Sequence, residues 1–426
     1  MSPSDPTRWL LIHPTGNQFS RQLLEALNKR GSLARFATTL GYSSQSRGLW
    51  PLLGKLQAEL ARRSYDLDPT LIHSQAWREL VRLLAPRMGM ASLARHEHGF
   101  ACVDAIYRSL DQSVAARLPR WVDQAKISTI YGYEDGCLAS FQTAKQLGLR
   151  RIYDLPIAHH VTVQGLLAEE CQRRPHWAGT MSGTLDSAAK LARKDEELAL
   201  ADAVVCPSQF VLDSLPKNLP ATCRRILAPF GSPSLHANSS DLLAQKELRS
   251  RSSGPLRVLF AGGMTQRKGL ADLFEAVNLL NKSDVELHVM GTPLQPLSFY
   301  QEQCPHFVHE APRPHAQVLR LMQDFDVLVL PSIAEGRALV MQEAMSQGLP
   351  LIITANTGGS DLIDEAKTGF CVPIRNPQII AEKLSWFANN RARIPAMAQA
   401  AMLRAERVSW DAYTRAIIDG QNTSSA

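Results

Sequence analysis

The stretch DVLVLPSIAEGRALVMQEAMSQGLPLIIT, residues 326–354, carries the pattern that decides the fold of this chain. Its apolar run DVLVLPS predicts a buried strand, LVMQEAMSQG predicts a helix, and LPLIIT predicts a second strand. The helix is expected to end at Gly348, because glycine most easily adopts the left-handed conformation of a helix cap. Two strands joined by a helix are typical of a parallel sheet.

The same rhythm recurs along the chain. In the second half, further strands are predicted for RVLFAG (257–262), ELHVMG (286–291) and FCVP (370–373), and further helices for GLADLFEAVNLL and AQVLRLMQDF. In the first half, the strand candidates are RWLLIH, ARFATT, STIYGY, RRIYDLP and DAVVCPS. The sequence therefore predicts an α/β protein with doubly wound parallel sheets.

The chain is long enough for two domains. The polar stretch PSLHANSSDLLAQKELRSRSSGP, which ends at Pro255, is typical of a linker between two α/β halves. We therefore expect an N-terminal Rossmann-like domain over 1–232 and a C-terminal one over 233–405. One helical face of the tail VSWDAYTRAIIDG is apolar, so residues 406–426 are expected to form a helix that packs back toward the N-terminal domain.

Composition excludes several classes of protein. Hydrophobic residues make up 45% of the chain and charged residues 20%, which is an ordinary globular mixture. No apolar run approaches the roughly 18 residues that a membrane-spanning helix needs. The N-terminus has no basic start and too short an apolar run for a signal peptide, so a cytoplasmic protein is expected. The seven cysteines are dispersed without a C-x-x-C pair, which disfavours disulfides and zinc sites.

The net charge of +6 has two interpretations. An excess of this size often serves only solubility, but it also attracts phosphate groups on a ligand or an anionic membrane surface. Nucleic-acid binding is not expected, because the basic residues are not interleaved with aromatic ones and no nucleic-acid-binding motif occurs.

A candidate phosphate site follows the first strand of the second half. Gly262 and Gly263 come directly after RVLFA, where missing side chains would let a ligand approach the backbone closely. Arg267 and Lys268 follow, at the expected start of a helix, and cations beside a helix N-terminus suit a diphosphate. The alternative is that both cations are merely solvated.

Two carboxylates stand eight positions apart in the deciding stretch. Glu335 lies in the turn after DVLVLPS, and Glu343 lies within the next helix. A carboxylate accepts hydrogen bonds from vicinal hydroxyls of the kind found on a sugar or a ribose. The backbone N–H groups expected to open that helix and to meet phosphate oxygens belong to Arg337, Ala338, Leu339 and Val340. Taken alone, Glu343 also fits an ordinary exposed helix residue.

The motif PSIAEGRALVMQEAMSQGLPLIITANTGGSDLIDEAKTGFCVP resembles the signature of the retaining GT-B glycosyltransferases of the group 1 family, family 4. That signature is E-G-x-x-x-x-x-x-E-A, followed by G-x-P-x-I and G-x-x-G. FAGGMTQRKG resembles the phosphate loop of the same family, and the resemblance covers residues 255–410. It implies a GT-B fold, in which two Rossmann-like domains face a central cleft.

The resemblance also implies roles for the charged residues. Glu343 would hold the ribose of a nucleotide-sugar, and Glu335 would lie near the hydroxyls of the donor sugar. Arg267 and Lys268 would neutralise the leaving diphosphate, so neither a metal ion nor another cofactor is expected.

The first half resembles the family more faintly. Gly16 and Asn17 follow the first strand, where the family has a glycine loop that faces the donor phosphates. His159 and His160 follow a strand end, where the family has an active-site histidine; a structural role for them stays open. Ser208 is expected near the cleft.

This sequence departs from the family pattern at two places. An arginine common near the position of Gly263 is missing, and Arg267 is the candidate to supply its charge. The common G-F-G after the first glutamate is replaced by Gly336, Arg337 and Ala338. Arg337 is expected either to meet the donor sugar or to point to solvent.

The function implied by the resemblance is transfer of a hexosyl group from a nucleotide-sugar, with retention, to an unknown glycan, lipid or small-molecule acceptor. The alternatives are a sugar-nucleotide isomerase and a catalytically silent sugar-nucleotide-binding protein. A separate question concerns residues 78–96, RELVRLLAPRMGMASLARH, which mix arginine with leucine and methionine. This pattern fits a basic helix on an anionic bilayer, hence a peripheral position at the inner face of the membrane, or a solvated arginine face over a core.

Overall fold

A computed structural model of the chain describes residues 7–45, 62–181, 186–233, 239–280 and 284–420. Within these ranges the strands form two large sheets, one in each half of the chain, and every strand pairing in them is parallel. The predicted α/β class with parallel sheets is confirmed. No helix in these ranges is long and apolar enough to cross a membrane.

The N-terminal sheet has the strand order β5-β2-β1-β6-β7-β8-β9, and a separate small pair joins β3 to β4. The strands are β1 (Trp9–Ile12), β2 (Leu33–Thr38), β3 (Tyr42–Ser43), β4 (Ser64–Tyr65), β5 (Ile72–Ser74), β6 (Thr129–Tyr133), β7 (Arg150–Asp154), β8 (Ala203–Cys206) and β9 (Arg224–Leu227). The five predicted strands are present, whereas the edge strands β5 and β9 were not predicted.

Seven α-helices accompany this sheet in the described part of the first half. They are α1 (Gln18–Lys29), α2 (Trp77–Leu84), α3 (Val103–Ala125), α4 (Leu138–Gln146), α5 (His160–Arg173), α6 (Ala188–Ala199) and α7 (Gln209–Asp213). The apolar residues of α1 that face the sheet, Phe19, Leu23, Leu24 and Leu27, are buried. Asn17 caps this helix, because its side chain accepts a hydrogen bond from the Ser20 N–H.

The C-terminal sheet has the order β12-β11-β10-β13-β14-β15. From residue 239 onward the elements in chain order are α8 (Ser239–Ser250), β10 (Leu256–Ala261), α9 (Leu270–Asn278), β11 (Val285–Met290), α10 (Leu297–Gln303), β12 (Val308–Glu310), α11 (His315–Met322), β13 (Val327–Leu330), α12 (Leu339–Ser346), β14 (Leu351–Thr354), β15 (Gly369–Val372), α13 (Pro377–Asn389), α14 (Ile394–Arg407) and α15 (Trp410–Gly420). Strands β13 and β14 are buried at every residue, as expected for strands covered by helices on both faces. The Gly348 cap has a φ of 72°, the left-handed conformation that its sequence position predicts.

The polar stretch before Pro255 is not an irregular linker throughout. Residues 234–238 lie outside the described ranges, but the following residues form α8. The buried Lys246 on this helix donates hydrogen bonds to the carbonyls of Gln323 and Phe325. These carbonyls lie just before β13, and buried backbone carbonyls require such partners. Helix α8 therefore packs on the C-terminal domain.

The last described helix returns to the N-terminal half. Tyr413 and Ile417 on α15 are buried in one apolar cluster with Trp9 and Leu11 of β1. Arg224 of β9 donates a hydrogen bond of 2.6 Å to the carbonyl of Gly420. The chain thus passes from one half to the other twice, first before the C-terminal sheet and again at α15, which packs on the N-terminal half.

Candidate active site

The two domains meet at the carboxyl ends of their parallel strands, where ligands of open α/β sheets bind. β10 leads into Gly262, and β13 leads into the turn that carries Glu335. From the other domain, β7 leads to Pro156, whose carbonyl lies against Gly336. Residues separated widely in the sequence are therefore neighbours at this junction.

Glu335 brings the two predicted cations together. Arg267 Nη1 and Lys268 Nζ each lie 2.6 Å from Glu335 Oε1. Burial by itself would raise the pKa of this carboxyl, but the charges of Lys268 and Arg267 outweigh burial and lower the pKa. Glu335 is consequently an anion at neutral pH, held between two cations that partly face solvent.

The two glycines after β10 lie beside the Lys268 side chain and leave space around it. Gly262 has a φ of 151°, and a Cβ added there would lie 3.3 Å from Lys268 Cε. A Cβ at Gly263 would meet no atom closer than Thr265 Cγ2 at 3.7 Å, so space is open above this residue. The pair thus leaves room beside the cations, as the sequence predicts for close approach to the backbone.

The helix after these cations begins within one residue of the start that GLADLFEAVNLL predicts. Arg267 and Lys268 lie just before it in a 3-10 turn, Gln266–Lys268, and α9 starts at Leu270. Gly269 between them has a φ of 75° and lies so close to Pro331 that a Cβ would fall 2.0 Å from its carbonyl oxygen. This contact places the Gln266–Lys268 turn, called the cation turn below, next to the end of β13 and close to Glu335.

Glu343 has a partner that the sequence did not suggest. His315, at the start of α11, places Nε2 2.8 Å from Glu343 Oε1. The carboxylate remains partly exposed on α12 and has no hydrogen bond to Glu335 in the described part of the chain. The two glutamates therefore have separate partners, the two cations for Glu335 and the His315 imidazole for Glu343.

Arg337 does not point to solvent. Its side chain is fully buried and makes a bidentate ion pair with Asp361, with Nη1–Oδ1 2.6 Å and Nη2–Oδ2 3.0 Å. Nη1 also donates to the Gly358 carbonyl at 2.9 Å. Arg337 thus fastens the loop that carries Glu335 to the loop around Gly358, and the expectation of a solvent-facing side chain is wrong.

The backbone before α12 is also partly occupied. Ala338 is the residue that caps the helix, and its N–H donates to the Thr357 carbonyl at 3.3 Å rather than pointing at a ligand. Leu339 and Val340 form the first helical turn, where N–H groups have no intrahelical acceptor. Leu339 packs against the apolar cluster of the N-terminal domain that includes Phe19 and Phe230, so this turn faces the junction.

Ser208 spans the junction between the domains. Its hydroxyl donates a hydrogen bond of 2.6 Å to the Gly336 carbonyl, and its Oγ also accepts from the Val211 N–H to cap α7. Gly336 is required here, because a Cβ would lie 1.7 Å from the Pro156 carbonyl oxygen. Ser208 therefore holds the Glu335 loop against the N-terminal domain.

The glycine loop of the first domain is stabilised from within. Gly16 has a φ of 59°, and its N–H donates to His13 Nδ1 at 2.8 Å. His13 was not singled out from the sequence. Its Nδ1 is an acceptor, so the proton lies on Nε2, which is buried and makes no hydrogen bond within the described residues. Burial and then the charge of Arg21 lower the pKa of His13 to about 3, so the ring stays neutral.

The predicted histidines pair with one another and with α6. His159 Nε2 and His160 Nε2 lie 3.1 Å and 2.7 Å from Asp195 Oδ1. Burial, and after it the neighbouring His160, lower the pKa of His159. One ligand atom from each of these three residues lies within 4.8 Å of the others, a donor set that a divalent ion can use. In the described part of the chain, neither ring makes a hydrogen bond to Glu335 or to its cations.

A buried polar group that sequence reasoning missed joins the domains beside Arg267. Glu170 on α5 accepts hydrogen bonds from Gln266 Nε2 at 2.7 Å and from Arg375 Nε at 2.8 Å. The Gln266 N–H also donates to Thr180 Oγ1 at 3.1 Å. The spacing of these residues along the chain gives no signal of the contact, because 96 positions separate Glu170 from Gln266.

The sequence of this chain is similar to those of known glycosyltransferases. Residues 255–390 match the family model of glycosyl transferases group 1. A putative colanic acid biosynthesis glycosyltransferase from Salmonella typhimurium is 29% identical over 150 residues, which are 32% of this chain and 36% of that protein. The alignment thus spans about a third of that relative. A D-inositol 3-phosphate glycosyltransferase from Paenarthrobacter aurescens is 24% identical over 309 residues, 68% of this chain and 72% of that protein.

Solved structures share the fold over nearly the whole chain. Sucrose-phosphate synthase from Thermosynechococcus elongatus superposes with a TM-score of 0.65 at 16% identity and covers 98% of both chains. Anabaena HepE in complex with UDP gives a TM-score of 0.58 at 14% identity, over 98% of this chain and 100% of that one. The chain thus has the two-domain fold of the GT-B glycosyltransferases, and its residues 255–390 are similar to the group 1 glycosyltransferases.

Proposed function

We propose that this protein is a retaining glycosyltransferase that takes a hexosyl group from a nucleoside-diphosphate sugar. The observation that carries the proposal is the contact of Glu335 with both Arg267 and Lys268 at the carboxyl ends of β10 and β13. Two cations at such a position match the charge that develops on a leaving diphosphate. The group 1 match of residues 255–390 and the UDP complex of HepE support this class of donor.

The site residues would divide the donor between them. When the diphosphate arrives, Arg267 and Lys268 would transfer their contacts from Glu335 to the phosphate oxygens, which frees the carboxylate to accept hydrogen bonds from sugar hydroxyls. Glu343, oriented by His315 at 2.8 Å, would accept hydrogen bonds from the two ribose hydroxyls. The first-turn N–H groups of Leu339 and Val340 would add donors for a phosphate oxygen.

The reaction we propose proceeds on one face of the sugar. The bond between the anomeric carbon and the diphosphate oxygen breaks while the acceptor oxygen forms its bond from the same side, which retains the configuration. The acceptor proton passes to a phosphate oxygen of the leaving group. Arg267 and Lys268 supply the positive charge for this departure, so we propose that the transfer needs neither a metal ion nor another cofactor.

The acceptor is proposed only as a hydroxyl compound of the glycan, lipid or small-molecule class. The relatives have names that point to different acceptors, one in colanic acid biosynthesis and one an inositol phosphate. The N-terminal domain would bind it, beside the Gly16 loop and the His159–His160 pair.

The first test is binding without added metal. Thermal-shift and calorimetric titrations with UDP, GDP, ADP and their hexose derivatives, in EDTA, would be made on the wild type and on Glu343→Ala. The matched control is Glu382→Ala, an exposed glutamate on α13. We expect one nucleoside diphosphate to stabilise the wild type and the control but to bind Glu343→Ala at least about tenfold more weakly, the effect of losing a charged hydrogen-bond acceptor. Equal binding by all three proteins would contradict the assignment of Glu343.

The second test is product analysis with the donor that binds. Release of the nucleoside diphosphate only when an acceptor is present, with a product of the donor's own anomeric configuration by NMR, is the expected result. Conversion of the donor to another sugar nucleotide without an acceptor would indicate the isomerase alternative. Tight binding with no turnover over a broad acceptor panel would indicate the silent alternative.

A further inference from the structure

An exposed apolar surface lies on the N-terminal domain between α2 and the start of α3. Six large side chains of this segment are exposed, and we call them the α2 face: Trp77, Leu84, Met88, Met90, Phe100 and Val103. Met88 is 66% exposed and Val103 50%. Among the described tryptophan and phenylalanine residues, Trp77 and Phe100 alone are exposed. Apolar side chains concentrated in one place, rather than scattered singly, mark an interaction surface.

A cation is built into the aromatic part of this face. The Trp77 and Phe100 ring centroids lie 4.9 Å apart, and the Arg78 guanidinium lies 4.5 Å and 4.4 Å from them. Arg78 also donates a hydrogen bond to the Phe100 carbonyl. Tryptophan beside an arginine is a combination found at the headgroup level of bilayers.

The acidic residues of this segment are withdrawn from its surface. Glu79 is buried between Arg63 and Arg82, at 2.8 Å and 2.7 Å. Glu97 is mostly buried and accepts the Ser187 N–H at 2.9 Å. Arg95, by contrast, is exposed. Among the described side chains of residues 77–103, the exposed groups therefore include apolar side chains and the Arg95 cation but no carboxylate, which complements an anionic surface.

We propose that the α2 face docks on an anionic lipid bilayer. The alternative for this segment is a solvated arginine face over a core. It is disfavoured because the exposed side chains are largely apolar and because Glu79 is buried and paired. β5 ends at Ser74, at the same edge of the sheet as the Gly16 loop, and α2 begins three residues later. A bilayer bound here would lie next to the opening of the cleft between the domains. Docking itself does not depend on the proposed transferase activity.

The test is flotation of the full-length protein with vesicles of phosphatidylcholine, alone or mixed with phosphatidylglycerol. The wild type is expected to float with the mixed vesicles at low salt and much less at high salt. The double variant Trp77→Ser/Phe100→Ser is expected to bind at least about tenfold more weakly. Arg95→Glu is expected to bind the mixed vesicles about fivefold more weakly while leaving the weak binding to phosphatidylcholine unchanged.

Leu248→Ser is the matched control, because Leu248 is an exposed apolar residue on α8 of the other domain, 71% exposed. It should float like the wild type, and circular dichroism should show all variants folded. Absence of wild-type binding to mixed vesicles, or equal binding by the double variant, would overturn the proposal. Self-association of the wild type that the double variant loses, without vesicle binding, would instead assign the α2 face to a second copy of the chain.

Discussion

Glu170 of the N-terminal domain accepts a hydrogen bond of 2.7 Å from Gln266 of the C-terminal domain, directly before the two cations of the candidate site. Glu170 is fully buried, and its charge is balanced by Arg173 at 2.9 Å and Arg375 at 2.8 Å. An anion at this depth is stable only with such partners. The position of the cation turn therefore depends on contact between the domains.

Replacing Glu170 tests this dependence. Glu170→Ala is expected to lower the free energy of unfolding by about 2–3 kcal/mol, because it removes a buried acceptor that Gln266, Arg173 and Arg375 share. Glu170→Gln keeps an acceptor oxygen for Gln266 and should lose about half as much. Urea denaturation of the three proteins at one pH measures the differences.

A positioning role predicts an effect beyond stability. Nucleoside diphosphate affinity should fall in Glu170→Ala and largely recover in Glu170→Gln. The control is Glu169→Ala, which removes an exposed partner of Arg375 from the neighbouring position. If Glu170→Ala binds the diphosphate as tightly as this control does, Glu170 stabilises the fold without placing the cations.

Glu335→Gln should separate binding from turnover. In the structure Glu335 neutralises Arg267 and Lys268, so its removal leaves both cations free for phosphate oxygens. Affinity for the nucleoside diphosphate should therefore stay equal or rise, while kcat should fall by about 100-fold, the size of effect seen when one polar contact to the reacting group is lost. Calorimetry with the diphosphate and steady-state kinetics give the two numbers; a fall of both in parallel would show that Glu335 merely supports the loop.

Lys268→Ala should act in the opposite sense to Glu335→Gln. Loss of one charged contact to the diphosphate is worth about 1.5–3 kcal/mol, so the affinity should fall by about 10- to 150-fold. Lys367, an exposed lysine paired with Asp364, offers a matched control in Lys367→Ala. Titrations at two salt concentrations check the assignment, because a lost phosphate contact should also reduce the salt dependence of binding. An equal effect of the two alanine variants would remove Lys268 from the site.

The buried parts of the fold were predictable because their sequences are unambiguous. β10, β13 and β14 are apolar runs bounded by glycine or proline, and their helices carry apolar residues at helical spacing. The edge strands β5, β9 and β12 were missed, because they are short and only partly buried, so their residues alternate weakly. Their position is set by pairing with a neighbour and not by their own pattern.

The candidate site divides in the same way. The contact of Glu335 with Arg267 and Lys268 follows from topology, because the ends of neighbouring parallel strands must meet. Arg337 could not be placed from the sequence, since its partner Asp361 lies in another loop. Glu170 gave no signal, because a glutamate in a helix is usually exposed and only the packing of the second domain buries it.

Gly336→Ala should push the domains apart. A Cβ at this position would lie 1.7 Å from the Pro156 carbonyl oxygen, and the Ser208 hydrogen bond to the Gly336 carbonyl would be displaced with it. The expected result is a larger radius of gyration by X-ray scattering and a loss of turnover. Gly165→Ala on α5 is the control, because a Cβ there meets no atom within 4 Å and alanine favours the helix by about 0.5–1 kcal/mol. An unchanged radius together with full activity in Gly336→Ala would contradict the closed contact.

Asp154, at the end of β7, should make stability depend on pH in a way that one substitution removes. Burial, the largest cause, raises the pKa of this carboxyl from 3.8 to about 8. The folded chain therefore binds a proton that the unfolded chain has released between these values, so this group's contribution to stability is complete below about pH 4 and is lost as the pH rises toward about 8.

Asp154→Asn has no such titration, and its stability relative to the wild type should grow over this range by up to about 1.4 kcal/mol per pH unit. Burial lowers the pKa of Lys246 to about 7, and this group changes stability with pH in the opposite direction. Because both proteins contain Lys246, its effect cancels in the difference. Urea denaturation of both proteins at pH 5 and pH 8 measures the difference; a value that does not change between them would mean that Asp154 is ionised in the folded protein.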